Sequence, residues 1–519
     1  MVEHPTQSSR GNTAIGAGGR RSGAAFALVV GACLVAAGGL SAAGKVELTL
    51  REAFERALRA NRALAVSRVR PDIARAKVTI EKGRFDRTLT ADLARRVNEV
   101  PTATLLAGRA VSRSDYDQAA LGVSQQVRDG TEFSVQWLNR RDSNSAGTAL
   151  FDPAYTSNLV LSVVHPLSRN AGKQVVTARL KAAQLDEEAA RIRLEAVAQA
   201  LVAAVEKAFV ELASTRKDLE VKELALQDAR KLVTYHTSRR EAGISSRANI
   251  LEAESVAALR QEDVLLARRA VAEARDTLVN LLSWNELPPD SEVVCTDGPG
   301  VSLPASELRT PPGYELLLET ALRERPDHRS AACDARSREL LARAARSQKD
   351  PRVDLVAAHQ FNGLSGNLGG SVGDSLSEGH ESWGMGLSVE VSLDNRAARG
   401  ELSRRRLEHQ EALLALSAIE DTARREISVA RRRILTDQER ISIAKQAEQL
   451  AAQKLATEEG RFHEGLLQNV DLLRFQEDLA VARSRLVRAQ ADLARSWVEL
   501  DQSLGLVLEH RGIRWEVSK

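Results

Sequence analysis

The side chains that could support catalysis are few in this 519-residue chain, and their spacing matches no catalytic motif that we sought. Nine histidines are scattered along it, among them His165, His236 and His463, and we expect these on exposed faces. A Cys-x-x-Cys pair, a His-Glu-x-x-His motif and a glycine-rich phosphate loop after a strand are all absent. The sequence therefore predicts no enzyme, no metal site and no cofactor.

Charge gives no indication of a nucleic-acid partner. The formal net charge is +3, from 73 basic and 70 acidic residues that are interspersed along the chain. Nucleic-acid-binding proteins concentrate positive charge on one face, whereas mixed charges are typical of solvated helix surfaces. We therefore expect no nucleic acid among the partners.

The N-terminus has the pattern of an export signal. Arg20 and Arg21 precede an apolar stretch over 24–40, which is followed by the small residues Ser41-Ala42-Ala43. This order predicts a signal peptide over residues 1–43. The segment ending at Cys33 is also similar to a lipobox, in which Cys33 would be lipidated, although the residues after it are apolar. Both interpretations stay open.

Beyond the export signal, we expect that only β-strands could cross a membrane. No other segment reaches the roughly 20 apolar residues of a transmembrane helix. Backbone groups must be paired in lipid, so any membrane span would be built from strands. Cys295 and Cys333 could pair in an oxidising compartment, but two isolated cysteines indicate no disulfide framework.

Two copies of one unit follow each other in the chain. Ala57-Leu58-Arg59 recurs as Ala321-Leu322-Arg323, an offset of 264, and further on the offset is 222, as in Leu180 and Leu402. Each copy is far longer than a solenoid repeat. We predict a first structural repeat over 44–287, a proline-rich linker over 288–312, a second repeat over 313–508 and a tail over 509–519.

Each copy should contain very long helices. No proline lies between Pro166 and Pro288 or after Pro351, which permits uninterrupted helices of some seventy residues, on the order of 100 Å long. Apolar residues step by seven, a spacing typical of coiled coils. In the first copy the series is Val205, Leu212, Leu219, Leu226 and Val233, and in the second it includes Ile427, Ile434, Ile441 and Leu455.

Glycines mark the ends of these helices. Gly243 and Gly465 occupy equivalent places, and a glycine just past a helix favours its termination. Asn249 and Asp471 then suit the cap or first turn of a returning helix. We predict helical hairpins over 168–284 and 397–506, with tips near the two glycines.

Between each short first helix and its hairpin, the hydrophobic period changes from seven to two. The predicted β segments cover 88–166 and 352–393, with four strand-like runs in the first and two in the second. Seven of the 18 aromatic residues lie within them: Tyr116, Phe133, Trp137, Phe151, Tyr155, Phe361 and Trp383. This pattern fits the aromatic girdles of a membrane barrel, and it fits a small soluble sheet equally well.

Several local motifs, in this order and in both copies, resemble the outer membrane efflux proteins typified by TolC. They are the opening helix over 48–58 followed by Asn61, the segment Arg323–Asp327, the junction His165-Pro166-Leu167, and the tip over 461–465 with Asp471. The similarity covers about residues 46 to 508.

The resemblance implies a mostly α-helical fold with membrane β structure. Duplicated half-repeats would supply long coiled-coil helices to a periplasmic α-barrel and strands to an outer-membrane β-barrel, four per chain and twelve per homotrimer. The protein would be a passive exit duct of a tripartite efflux or type I secretion system. Its partners would be outer-membrane lipid, a periplasmic adaptor and an inner-membrane transporter of RND or ABC type. An exported coiled-coil scaffold without a pore is the alternative.

The resemblance also assigns roles at the tips. Arg239, Gly243, Arg461 and Gly465 would contact the adaptor, and Asn249, Asp471 and Arg474 would form the gate. Three copies of Asp471 around one axis could bind or select cations. The family often has a second aspartate where this chain has Arg474, and Asp471 could equally serve only to start its helix.

One departure concerns the first β segment, which has two more strand-like runs than the family usually has. We expect the extra pair, around Leu121 to Trp137, to extend strands or to form a hairpin outside the membrane. A larger barrel is the alternative.

Overall fold

The computed structural model describes residues 45–101, 111–144, 150–288, 291–296, 310–377, 379–464 and 466–515. The predicted signal peptide, Cys33, Gly465 and most of the linker lie outside these ranges. Within them, the helices are α1 Leu50–Ala60, α2 Arg62–Lys82, α3 Lys173–Val176, α4 Ala178–Glu241, α5 Arg247–Leu281, α6 Tyr314–Glu324, α7 Pro326–Ser347, α8 Leu368–Ser377, α9 Arg396–His463, α10 Asn469–Leu504 and α11 Val507–His510. The strands are β1 Lys45–Leu48, β2 Arg87–Pro101, β3 Val111–Gln126, β4 Glu132–Asn144, β5 Ala154–Pro166, β6 Glu292–Cys295, β7 Arg352–Ser365 and β8 Glu381–Glu390.

The duplication is visible in the order of these elements. Helices α1 and α2 recur as α6 and α7 at the offset of 264, and the hairpin α4–α5 recurs as α9–α10 at the offset of 222. The exact boundaries of the two repeats stay a prediction. Helix α4 has 64 residues and is therefore about 96 Å long.

The seven-residue step buries equivalent side chains in both copies. Val205 and Leu212 of α4 are fully buried, and so are their counterparts Ile427 and Ile434 of α9. The first pair packs in a cluster with Phe54 and other residues of α1 and α5, and the second in a cluster with residues of α6 and α10. Residues at the seven-residue spacing thus form the buried contacts of the long helices.

The long and short helices form one layer that is four helices wide. Near the sheet, neighbours follow the order α2, α4, α7, α9, and towards the tips the order is α5, α4, α10, α9. In both regions the second half of the layer repeats the first. In the described part of the chain, no helix is sufficiently long and apolar to cross a membrane.

The junctions between short and long helices use the same contact in both copies. The Asn61 amide donates to the carbonyl of Leu281 at 2.9 Å, and the Arg325 guanidinium, 264 residues later, donates to the carbonyl of Ser503 at 3.1 Å. Leu281 and Ser503 are themselves 222 residues apart. In both repeats a hydrogen bond therefore joins the bend after the first helix to the last turn of the returning helix.

The first repeat contributes four strands and the second two, as the period-two segments predict. They form one antiparallel sheet in the order β2-β3-β4-β5-β7-β8, while β1 and β6 pair separately in parallel. The place of the extra pair in the sheet is now defined, whereas its place relative to the membrane stays a prediction. Strands β3 and β4 lie inside the sheet, paired with β2 and β5 along nearly their full length.

The two faces of the sheet differ in polarity. The apolar face carries exposed side chains such as Leu89, Leu121, Val135, Leu161 and Trp383, which the strand register places in one or adjacent rows. The opposite, polar face carries the residues between them, which include Thr90, Ser124, Gln136, Ser162 and Ser382. Since side chains alternate along strands, one face suits lipid and the other suits water.

Helix α8 covers the apolar face only at the loop end of β5 and β7. It packs over Gly363, where any side chain would collide with the Ser371 carbonyl, and over the buried Ser157. Gly363 is therefore required for the close approach of the helix.

Candidate functional site

The first helical tip is a glycine-terminated turn. Helix α4 ends at Glu241, and Gly243 has a φ of +76°, a conformation that favours glycine. Its N–H donates to the Arg240 carbonyl at 2.8 Å, and the Ile244 N–H donates to the Arg239 carbonyl at 2.8 Å. These bonds satisfy carbonyls of the last turn, as in a helix C-cap motif.

The second tip repeats this geometry. The Leu466 N–H donates to the Arg461 carbonyl at 2.9 Å, which is the equivalent of the Ile244 bond at the offset of 222. Gly465 itself lies outside the described residues. The equivalent bond supports the prediction that both hairpins turn in the same way.

The two tip arginines differ in their contacts. The Arg239 guanidinium donates to the Tyr235 hydroxyl at 2.6 Å and lies 5.4 Å from the centre of the Tyr235 ring. Arg461 forms an ion pair with Glu458 at 3.0 Å. Both arginines are exposed at the end of the helical layer, where a partner could reach them.

The predicted gate residues lie in the first turns of the returning helices. Ser246 caps α5 by accepting from the Asn249 N–H at 3.2 Å, so Asn249 is a first-turn residue, and Asp471 has the same place in α10. Both are half-buried, and Arg474 is exposed. Among the described residues, no side chain is bonded to the Asp471 carboxylate. Its gating role stays a prediction, beside the helix-start role that the macrodipole favours.

A buried polar link joins the two hairpins at the tips. His236 Nε2 lies 3.0 Å from Asn469 Oδ1, and the Asn469 amide nitrogen donates to Glu252 Oε2 at 2.9 Å. Both His236 and Asn469 are about 95% buried, so the expectation that His236 is exposed was wrong. His236 lies three residues after Val233 of the heptad series, and this seam spacing could have revealed its burial.

The hydrogen-bond role of His236 Nε2 follows from these contacts. A carboxylate only accepts, so the Asn469 amide nitrogen must face Glu252 and its oxygen must face His236. Nε2 therefore carries the proton, and Nδ1 accepts from the Ser245 hydroxyl at 3.2 Å in the neutral ring. The link connects α4, α5 and α10 through the side-chain amide of Asn469.

Apolar and aromatic side chains surround this link. Leu232, Ala253, Leu472 and Leu473 form a buried cluster, with Phe462 packed against it. Its members come from both hairpins. The tip is thus a small packed unit of its own, separate from the clusters around α1 and α6.

Breaking the link should loosen the tip. We expect Asn469→Ala to remove the partner of the buried His236 Nε2 and of the half-buried Glu252 carboxylate, which costs about 1–3 kcal/mol locally. Backbone amides of the tip should then exchange with solvent faster in the variant than in the parent. Gln468→Ala is the matched control, because Gln468 is exposed and makes no side-chain cap bond. Equal exchange rates at the tip in the two variants would contradict a structural role of the link there.

The expectation that no catalytic motif is matched was wrong for one stretch of the sequence. Gly369 to Gly373 reads Gly-Gly-Ser-Val-Gly, the Gly-x-Ser-x-Gly order of hydrolase nucleophiles, which requires a sharp turn between strand and helix. Here the pattern lies inside α8, and the buried Ser371 hydroxyl donates to the Leu368 carbonyl at 3.0 Å. The serine is therefore not placed as a nucleophile. Within the described ranges, no cluster of histidine, cysteine or acidic residues could hold a metal ion.

The cysteines are not joined in this structure. Cys295 and Cys333 form no disulfide with each other. Burial raises the pKa of the Cys333 thiol, with the nearby Glu188 and Asp334 carboxylates acting in the same direction.

Comparisons with known proteins agree with the long hairpins and the sheet. The profile of the family described as "Outer membrane efflux protein" matches residues 53–283 and 317–506. The chain belongs to this family. A search of curated proteins finds no match.

Solved structures show the same fold at low identity. The outer-membrane channel OprN is 17% identical, with a TM-score of 0.61, over 88% of this chain and 89% of that one. VceC from Vibrio cholerae is 19% identical, with a TM-score of 0.59, over 88% and 96%. MtrE from Neisseria gonorrhoeae, in its open state, is 19% identical, with a TM-score of 0.60, over 88% of both chains. The fold is TolC-like, with duplicated half-repeats and long coiled-coil helices.

Proposed function

We propose that this protein is the outer-membrane exit duct of a tripartite efflux or type I secretion system, through which substrate passes without energy input from the duct. One observation carries the proposal: a sheet with an exposed apolar face is joined to a layer of helices about 96 Å long. The sheet suits lipid, and the helices suit a span across the periplasm. Membership in the efflux family agrees with both.

The duct would be a homotrimer. One edge of the chain is formed by β2, α2 and α5, and the other by β8 and α9. On α2 the exposed residues Val66, Val69 and Ile73 form a stripe, and on α9 Leu407 and Leu414 are exposed seven residues apart. Two different apolar edges favour head-to-tail contacts that close into a ring. Three copies would place twelve helices around one axis.

The tips would meet the rest of the pump. Arg239 and Arg461, together with the turns at Gly243 and Gly465, would contact a periplasmic adaptor that connects the duct to an inner-membrane transporter of RND or ABC type. The exposure of both arginines at the far end of the layer supports this assignment. Transport energy and substrate choice would then lie with the transporter.

The gate prediction concerns Asp471. If three Asp471 carboxylates surround the axis, Asp471→Ala should weaken block by divalent cations and reduce cation selectivity in a bilayer recording. Asp478→Ala, an exposed aspartate further along α10, is the matched control. Unchanged block and selectivity in Asp471→Ala would leave Asp471 with only its helix-start role.

Fractionation of the producing cell separates the duct from a scaffold without a pore. We expect the protein in outer membranes, extractable only with detergent, at the mass of three chains. Recovery as a periplasmic species without detergent would contradict the proposal and favour the scaffold. The exposed apolar face of the sheet argues against that outcome, because a water-soluble protein rarely exposes so wide an apolar surface.

A further inference from the structure

We propose that all six strands of the sheet cross the outer membrane, so that three copies of the chain close an eighteen-stranded barrel. The inference rests on the proposed trimeric duct and adds the strand number and width of its pore. It requires that the inserted pair β3–β4 lies in lipid like the other strands. Four features of the sheet support this.

The first feature is the position of the pair. Strand β3 pairs with β2 from Gln125 opposite Arg87 to Val111 opposite Pro101, and strand β4 pairs with β5 from Glu132 to Asp142. The pair therefore separates β2 from β5. If β3 and β4 left the membrane, β2 would lose its only partner in the described sheet.

The second feature is the continuity of the two faces. Across one row of the apolar face, the register aligns Leu89, Val123, Val135, Leu161, His359 and Trp383. On the polar face, Gly122 and Gln136 of the inserted pair lie beside Thr90 and Val160. The inserted strands thus have the same apolar side and the same opposite side as their neighbours.

The third feature is the slope of the apolar band. The band is centred on Ala91 in β2 and on Leu121 in β3. In β4 and β5 its centre lies two residues closer to the helix end of the sheet, at Val135 and Leu161. It moves by two more residues to Ala357 in β7 and by another two to Leu387 in β8. This shift of six residues is about 20 Å along the strands, over five strand spacings of about 4.8 Å, or about 24 Å. A level membrane band then requires a strand tilt of about 40°, which is within the range of closed barrels. The inserted strands follow the same slope.

The fourth feature is the turn between β3 and β4, which lies at the helix end of the sheet. The Gly172 N–H donates to the Asp129 carbonyl at 3.2 Å, and the Thr131 hydroxyl lies 2.8 Å from His165 Nδ1. Gly130 has a φ of +101° and lies so close to the Asn170 carbonyl that a side chain there would collide. The turn is fixed against the junction of β5 with the helices. Both strands therefore start from the periplasmic rim, as membrane-spanning strands must.

The width of such a barrel matches the helical layer beneath it. Eighteen strands with a tilt of about 40° and a spacing of about 4.8 Å give a diameter of about 36 Å, compared with about 24 Å for twelve strands. Twelve helices with axes 8–10 Å apart enclose a ring of roughly 31–38 Å. With six strands per chain, the barrel and the helical ring have similar diameters, so the channel does not narrow where they meet.

Each edge strand of the sheet would then pair with another copy of this chain. Strands β2 and β8 are exposed along their whole length. In a ring of three, β8 of one copy would pair with β2 of the next. Closure in this way satisfies the backbone groups of both edges, which lipid cannot do.

Cryo-electron microscopy of the detergent-extracted wild-type protein tests the strand number directly. We expect a threefold particle whose barrel shows eighteen strands, 1.5 times the twelve of a four-stranded contribution. A threefold particle with twelve strands and β3–β4 outside the belt of detergent would overturn the inference and leave the duct intact. A particle without a detergent belt would overturn the duct as well.

Cysteine labelling in intact outer membranes gives a second test, in a background with Cys295 and Cys333 changed to serine. We expect Leu121→Cys on β3 to resist a membrane-impermeant maleimide until denaturation, as does Met385→Cys on β8. Gln136→Cys on the polar face should react through the pore. Rapid labelling of Leu121→Cys beside a protected Met385→Cys would overturn the inference alone, whereas labelling of both would also contradict the membrane location.

Discussion

Replacing Leu387 by arginine should prevent most of the protein from assembling as a trimer in the outer membrane. Leu387 lies at the centre of the apolar run on β8, is 65% exposed, and pairs across the sheet with Leu355. An arginine at this depth on a lipid face costs about 2–4 kcal/mol, and each trimer would carry three. The measurement is the amount of trimer extracted from outer membranes relative to the parent.

Ser388→Arg is the matched control for this variant. Ser388 is the next residue of β8, points to the opposite face and lies beside Asp354. There an arginine would meet water and a carboxylate, so we expect trimer yields close to the parent. Equal losses in both variants would indicate that β8 is sensitive to any bulky charge, and the assignment of the lipid face would fail.

Replacing Arg325 by alanine should destabilise the junction of the second repeat. Arg325 is 7% exposed and bonds Glu426 and Asp327, each at 2.7 Å, besides the Ser503 carbonyl. Burial lowers its pKa, but the bonds to the two carboxylates outweigh burial and leave the pKa raised. The partner carboxylates of Asp327 and Glu426 are 45% and 44% exposed, so water screens them once the arginine is gone. We therefore expect a loss of about 1.5–3 kcal/mol, the range for a hydrogen bond to a charged group. The measurement is the free energy of unfolding, or the midpoint of irreversible thermal unfolding of the trimer.

Arg323→Ala is the control for that loss. Arg323 is 71% exposed in its side chain, and within the described residues it pairs with the adjacent Glu324, a surface arrangement that contributes little to stability. Asn61→Ala, at the equivalent place of the first repeat, should give an intermediate loss because it removes a neutral cap and one bond. A stability of Arg325→Ala equal to that of Arg323→Ala would contradict the role of the buried arginine.

The sequence predicts the helices well because their determinants are local. Proline-free runs, heptads and terminal glycines together indicate both long hairpins. The first hairpin is predicted to begin at residue 168, whereas its long helix α4 begins at Ala178. Asn170 and Gly172 both have positive φ values, and the backbone completes its change of direction before the helix can start.

The sheet could be predicted only in part. Alternation identifies the strands and their faces, but pairing depends on contacts between distant segments, which the alternation does not specify. The insertion of β3 and β4 between β2 and β5 was therefore missed. At the tip the same limit applies to His236, whose partners Asn469 and Glu252 come from two other helices.

The central claim, a conducting trimeric duct, is tested most directly by recording purified wild-type trimer in a planar lipid bilayer. We predict discrete, uniform conductance steps that are absent from mock preparations and from an equal amount of the Leu387→Arg preparation. A well-folded trimer that inserts into the bilayer and yet carries no current at any voltage would contradict the account.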